Sequence, residues 1–214
     1  MADSHLIWRG SEAEPHWYSS RRSLCPLGLG LSAAGGNQVT SAYYLGRVWA
    51  VPELEQLHAG HAPAVLAFEL ANRAYFASSI SDRGDEFFRQ FPDRHSAMLA
   101  EQEAGTCAFY VLVADGGSVL GRFNLYDFED GTANLGYRVA QQVAGRGVAT
   151  RSVGELCRIA AARHGLRTLR AATSHDNAAS QKVLAKAGFV PAGPATPADL
   201  GGKSGTWYQR DLQP

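Results

Sequence analysis

Residues 133–165 place a turn with two glycines between a run that alternates every second residue and a run that repeats every three to four. Ala133, Leu135, Tyr137 and Val139 alternate with Asn134, Gly136 and Arg138, the signature of a strand with one wet face. After Gln142-Val143-Ala144-Gly145-Arg146-Gly147, the residues Val148, Val153, Leu156, Ile159 and Ala160 recur at helical spacing. Arg151, Glu155 and Arg158 form the opposite stripe, and Gly165 supplies the stop. A strand that turns through glycines into a helix leaves the first N–H groups of that helix without intrahelical acceptors, backed by the positive end of the dipole. Glycine also lets a backbone approach a ligand closely, so this turn is expected to hold a phosphate or pyrophosphate. Arg138 to Arg170 contains seven arginines and one acid, Glu155, which implies an anionic ligand. The plain alternative is an ordinary glycine-rich turn followed by a solvated arginine face.

Other phosphate motifs fit worse. The spacing GxGxxG is absent because residue 150 is Thr. Gly202-Lys203-Ser204 resembles the tail of a P-loop, but Pro197 stands where the first glycine is required and no helix is expected to follow.

Elements flank the turn on both sides. Leu54 and Leu57 mark a strand, and Pro63 opens a helix carrying Val65, Leu66, Phe68, Leu70 and Tyr75. A second helical stretch covers Asp82 to Glu103, with a break expected at Pro92. Ala108–Ala114 and Val119–Tyr126, joined by Asp115-Gly116-Gly117, predict a hairpin. Arg167–Thr173 predicts a strand and Asn177–Ala187 a helix capped by Asn177. Phe189–Ala192 and Thr206–Leu212 close the sheet.

A chain of 214 residues, 45% apolar, can bury a core of its own. The first fifty residues carry Gly28, Gly30, Gly35 and Gly36 and no sustained apolar period, so residues 1–50 are expected to be a poorly ordered extension before a folded domain at 51–214. Twenty basic residues balance twenty acids, which argues against a nucleic-acid partner. The longest apolar runs, such as Cys107–Ala114, are far below the roughly 20 residues that span a bilayer, so no membrane partner is expected. Cys25, Cys107 and Cys157 fit neither a disulfide framework nor a metal knuckle, and the expected compartment is cytoplasmic. His58 and His61 have loose metal-like spacing without further ligands in a recognisable pattern, and no metal is expected.

The stretch from Leu135 to Phe189 resembles the core of the GCN5-related N-acetyltransferases (GNAT), whose acyl-CoA loop reads Q/RxxGxG/A. Asn177-Ala178-Ala179-Ser180 and Lys186-Ala187-Gly188-Phe189 resemble the NxxS…KxGF signature of the RimJ/RimL branch, which acetylates protein N-termini. The resemblance covers about Glu53 to Leu212. It implies a mixed α/β fold with a central, mostly antiparallel, splayed sheet flanked by helices, and acetyl-CoA as acetyl donor.

Residue by residue, the resemblance implies that Val139 and Ala140 pair with the pantetheine arm where the strands splay. Gln142 opens the loop. The N–H groups of Gly145, Arg146, Gly147, Val148 and Ala149 bind the pyrophosphate, with Thr150 close by. Asn177 matches a residue that hydrogen-bonds the pantetheine or the attacking side of the thioester, or it serves as a helix cap alone. The tyrosine that protonates the thiolate in many relatives is replaced by Leu184. Ser180 matches the serine proposed in its place, with a capping contact as its simpler role. A carboxylate often found on the central strand is replaced by Asn134, which leaves Asp127, Glu129, Asp130 or His175 to act as base through water. Ser174, His175 and Asp176 cannot form a triad, because neighbours on an extended segment face opposite ways.

A missing strong base favours an acceptor that needs little deprotonation. An α-amine with pKa about 8 is roughly one-fifth neutral near pH 7.4, whereas a lysine near 10.4 is neutral at on the order of one part in a thousand. Residues 52–130 hold thirteen acids against five arginines and no lysine, compatible with a cationic acceptor or with ordinary solvated helix faces. The expected partner is an amine, a basic protein N-terminus foremost, for a monomer or homodimer. A small amine such as an antibiotic or polyamine, and a non-catalytic acyl-CoA module, are the alternatives.

Overall fold

Apolar runs with alternating side chains build seven strands. They are β1 (Glu53–Gln56), β2 (Ala108–Val113), β3 (Val119–Glu129), β4 (Thr132–Val139), β5 (Thr168–Ser174), β6 (Val190–Ala195) and β7 (Gly205–Asp211). The computed structural model describes residues 52–80 and 82–212, so the extension expected over residues 1–50 lies outside the described residues. The strands form one sheet in the order β1-β2-β3-β4-β5-β7-β6, antiparallel at every neighbour except β4–β5. This is the mixed, mostly antiparallel sheet expected from the sequence.

Four helices separate β1 from β2: α1 (Ala62–Ala71), α2 (Arg73–Ala77), α3 (Gly84–Arg89) and α4 (Phe91–Glu103). Helix α5 (Val148–His164) joins β4 to β5, and α6 (Ala178–Lys186) joins β5 to β6. One sheet face, with Tyr110, Phe123, Leu125 and Leu135, packs under Val153, Leu156 and Ile159 of α5 and Leu184 of α6. The other, with Phe109 and Val111, packs under Val65, Phe68, Phe76 and Phe91. Full burial of each such side chain contributes about 1.5–3 kcal/mol.

Three expectations change. Pro92 does not break a helix; the interruption falls at Gln90, and Pro92 sits in the first turn of α4, where a missing N–H costs nothing. Pro63 does the same for α1, which stops at Asn72 and leaves Tyr75 to α2. The wet face of β4 is not wet throughout. Arg138, which belongs to it, is buried beneath α1 against Glu69, opposite Arg122 of β3.

The two central strands part company. β4 and β5 pair in parallel only from Thr132↔Thr168 to Asn134↔Arg170. Beyond that point β4 stays with β3 as far as Val139, while β5 stays with β7 as far as Ser174. A wedge therefore opens between residues 135–139 and 171–174. The glycine turn and the start of α6 both follow the strand ends at its mouth.

Candidate active site

The wall of the wedge is main chain. Ala140 N–H donates to Leu120 O at 2.8 Å and its carbonyl accepts from Val143 N–H at 3.1 Å. Strand alternation then turns the N–H and C=O of Val139 away from β3 and into the wedge. Val139 thus offers backbone groups to an inserted arm. Ala140, expected to share that task, is buried with both its polar groups engaged, and instead shapes the bend.

Gln142 lies exposed in a short 3₁₀ turn, Gln141–Val143, tied to the end of α1 by Gln141 N–H donating to Asn72 Oδ1 at 2.9 Å. Gly145 (φ +74°) and Gly147 (φ +76°) are both left-handed, with open space where a Cβ would stand. Packing does not demand glycine here; backbone conformation does, and it leaves the surface clear for a ligand. Gly147 is the N-cap of α5, offers no side-chain cap, and the first turn holds no acid. The N–H groups of Val148, Ala149 and Thr150, like those of any helix start, lack intrahelical acceptors. Two left-handed glycines and an uncapped 17-residue helix make a cradle suited to a diphosphate. The arginine surface expected around it is narrower than its sequence. Arg138 is committed to Glu69, Arg158 to Glu155, Arg167 to the Asp130 carbonyl, and Arg170 stacks over Trp207. Arg146 and Arg151 remain exposed beside the turn.

Across the mouth, Asn177 caps α6, its Oδ1 accepting from Ser180 N–H at 3.0 Å. Ser180 Oγ lies 3.0 Å from Tyr137 Oη on β4. Burial pushes the Tyr137 phenol up to about 12, with its bond to Ser180 pulling the other way. Val139, Tyr137, Ser180, Asn177 and the glycine cradle are thus gathered at one end of the wedge. Tyr137 was not singled out by sequence; its period-two position facing the layer of α5 and α6 is the signal that places it there.

Residues 53–190 match the Acetyltransferase (GNAT) domain family. The chain belongs to the GNAT family. No curated protein sequence matches it. Similar folds include a ribosomal-protein-S5-alanine acetyltransferase from Vibrio fischeri (TM-score 0.70, 17% identity, covering 80% of this chain and 100% of that one). RimJ from Mycobacterium smegmatis in complex with CoA-disulfide gives 0.66 and 21%, covering 74% and 80%. A spermidine N-acetyltransferase from Vibrio cholerae in complex with CoA and spermine gives 0.63 and 13%, covering 76% and 96%. The acetyl donor of this GNAT domain is acetyl-CoA, and the cradle and wedge fit its diphosphate and its extended arm.

Asn134 and the acids of the β3–β4 hairpin stand apart from that cluster, whereas His175 lies in the short segment between β5 and α6. Asn134 is at the closed end of the wedge and on the sheet face opposite Tyr137, and its Nδ2 donates to Asp127 Oδ2 at 2.9 Å. The fold does not bring it to Ser180. Asp127, Glu129 and Asp130 are exposed in the β3–β4 hairpin, at the far end of β4 from the glycine turn. His175 is exposed just past β5, with its backbone N–H donating to Ser204 O at 3.2 Å. Leu184 is wholly buried in the core, so the helix turns that position away from solvent.

Glu69, embedded in an apolar stripe of sequence, is the one buried carboxylate among the described residues. Its Oε1 accepts from Arg122 at 2.7 Å and its Oε2 from Arg138 at 3.0 Å, while Arg83 stands 3.5 Å away. Burial alone would raise its pKa, but Arg138, Arg83 and Arg122 together hold it below the usual carboxylate value. It is a structural anion with its oxygens occupied. Glu55, His58 and His61 bring potential ligand atoms within 4.8 Å of one another, adding a carboxylate to the two histidines noted in sequence. Both imidazoles are already used as caps: His58 Nδ1 accepts from Gly60 N–H and His61 Nδ1 from His58 N–H.

Proposed function

We propose that this GNAT domain acetylates the α-amino group of a protein or peptide N-terminus, as the RimJ/RimL resemblance implies. One observation carries the choice of amine. Among the described residues the one buried carboxylate, Glu69, is saturated by arginines, and Asp127, Glu129 and Asp130, the acids weighed as bases, lie in the far hairpin. A site with so little base strength suits an amine that is already partly neutral near pH 7.4, and an α-amine has about a hundredfold advantage over an unperturbed lysine. The S5-alanine acetyltransferase and RimJ folds support the same reading.

The residues have separable tasks. The cradle at Gly145–Thr150 anchors the diphosphate, and the Val139 main chain aligns the arm and offers an N–H to the developing oxyanion. Attack by the amine nitrogen forms the new C–N bond, and the C–S bond breaks with its electron pair on sulfur. The amine proton passes to solvent, water protonates the thiolate, and Ser180 Oγ–H stabilises that anion by a hydrogen bond.

Release of free CoA from acetyl-CoA tests the proposal with three acceptors: a lysine-free peptide with a free N-terminus, an N-terminally blocked peptide with one lysine, and spermidine. Turnover with the first is expected. Turnover confined to the blocked peptide or to spermidine would replace this reading with side-chain or small-amine acetylation. CoA binding without turnover on any amine would make the domain a binding module.

A further inference from the structure

We propose that Tyr137 is a positioning residue for acetyl transfer, its half-buried hydroxyl donating to Ser180 Oγ and so turning the Ser180 proton toward the leaving sulfur. The inference rests on the acetyltransferase reading and adds to it a residue that acts through Ser180.

The ring of Tyr137 has little freedom. It stacks on Phe123, its register partner on β3, with centroids 6.0 Å apart and planes 11° from parallel, and Phe123 is fully buried. Ser180 is fixed from its own side by the Asn177 cap on its N–H. The two hydroxyl oxygens are thereby held 3.0 Å apart, while the phenol reaches the Ser180 carbonyl only at 3.4 Å, a poorer acceptor distance.

Between two hydroxyls at that distance only one proton lies on the line joining them. If Ser180 donates, its proton is spent and the sulfur meets lone pairs. If Tyr137 donates, the Ser180 proton is free for the thiolate. A phenol is the stronger acid and hence the stronger donor, and charge growing on sulfur favours the same direction, Tyr O–H to Ser Oγ–H to sulfur, because hydrogen bonds in a chain polarise one another. Tyr137 is not the proton source. Burial pushes its phenol to about 12, against about 8.5 for an alkyl thiol, so transfer to the thiolate runs uphill by more than a thousandfold. The phenol keeps its proton throughout, and water supplies the one that sulfur takes.

The test compares wild type, Tyr137→Phe, Ser180→Ala and the double variant by CoA release and thermal unfolding. Tyr137→Phe is expected to lower kcat by about tenfold with KM for acetyl-CoA within about twofold, and the double variant to be no slower than Ser180→Ala alone. The pH profile of Tyr137→Phe should match the wild-type shape from pH 7 to 10. Installing 3-fluorotyrosine at position 137, which keeps the donor and the ring, should restore kcat and also guards against a Phe variant that folds poorly. Wild-type kcat in Tyr137→Phe, multiplicative losses in the double variant, or loss of an alkaline limb in the Phe variant would each overturn the proposal. A wild-type protein that releases no CoA with any amine would instead sink the acetyltransferase reading and take this proposal with it.

Discussion

Arg138 Nη1 meets Glu69 Oε2 at 3.0 Å, so the strand that leads into the glycine turn is clamped to the first helix by residues 69 positions apart. Arg122, opposite Arg138 on β3, closes on the other oxygen of the same carboxylate at 2.7 Å. Removing the carboxylate strands buried guanidiniums. Glu69→Ala is expected to cost about 3–5 kcal/mol in urea unfolding at pH 7. The folded-state pKa is depressed, so this stabilisation is complete above the unfolded value near 4.3 and is lost as pH falls through the folded value. Melting curves from pH 7 down to 3 should show wild type and variant converging at the acid end.

Gly145→Asp and Gly147→Asp should each abolish acetyl-CoA binding by calorimetry. An aspartate must adopt φ near +75° and places a negative charge where the diphosphate is held. Open space around both positions means the fold should survive, and unchanged affinity would remove the cradle from the cofactor site.

Ser180→Ala should slow turnover by about tenfold while altering acetyl-CoA affinity little, since the lost hydrogen bond matters only once charge reaches sulfur. Steady-state kcat and KM separate the two effects. An unchanged kcat would leave Ser180 with its contacts to Asn177 and Tyr137 and no part in turnover.

Gly205→Ala tests the packing of β5 on β7. A Cβ at Gly205 would overlap the carbonyl oxygen of Thr173, a backbone atom that cannot rotate aside. The substitution is expected to cost about 2–3 kcal/mol and to lower the melting temperature without altering the glycine turn.

Elements with a short period were plain in the sequence. The alternation at Ala133–Val139 and the helical stripe from Val148 to Ala160 became β4 and α5, with Gly165 left-handed at the stop and Asn177 capping α6 as expected. Glu69 was hidden because one charge in an apolar stripe has no local mark of burial. Arg138 was misplaced on a wet face because alternation tells which residues share a face, not what covers it. Tyr137 was read only as one face of the strand, because its partner lies 43 positions away on a helix.

By itself the sequence determined the strand, the glycine turn and the helix that follows, because each depends on neighbours within one or two turns of chain. Tertiary structure alone fixed Asn134 as the point after which β4 and β5 separate, gathered buried arginines on Glu69, and brought Tyr137 but not Asn134 to Ser180. Those outcomes depend on register and on the layer stacked over each face, which bring together groups that no local pattern connects.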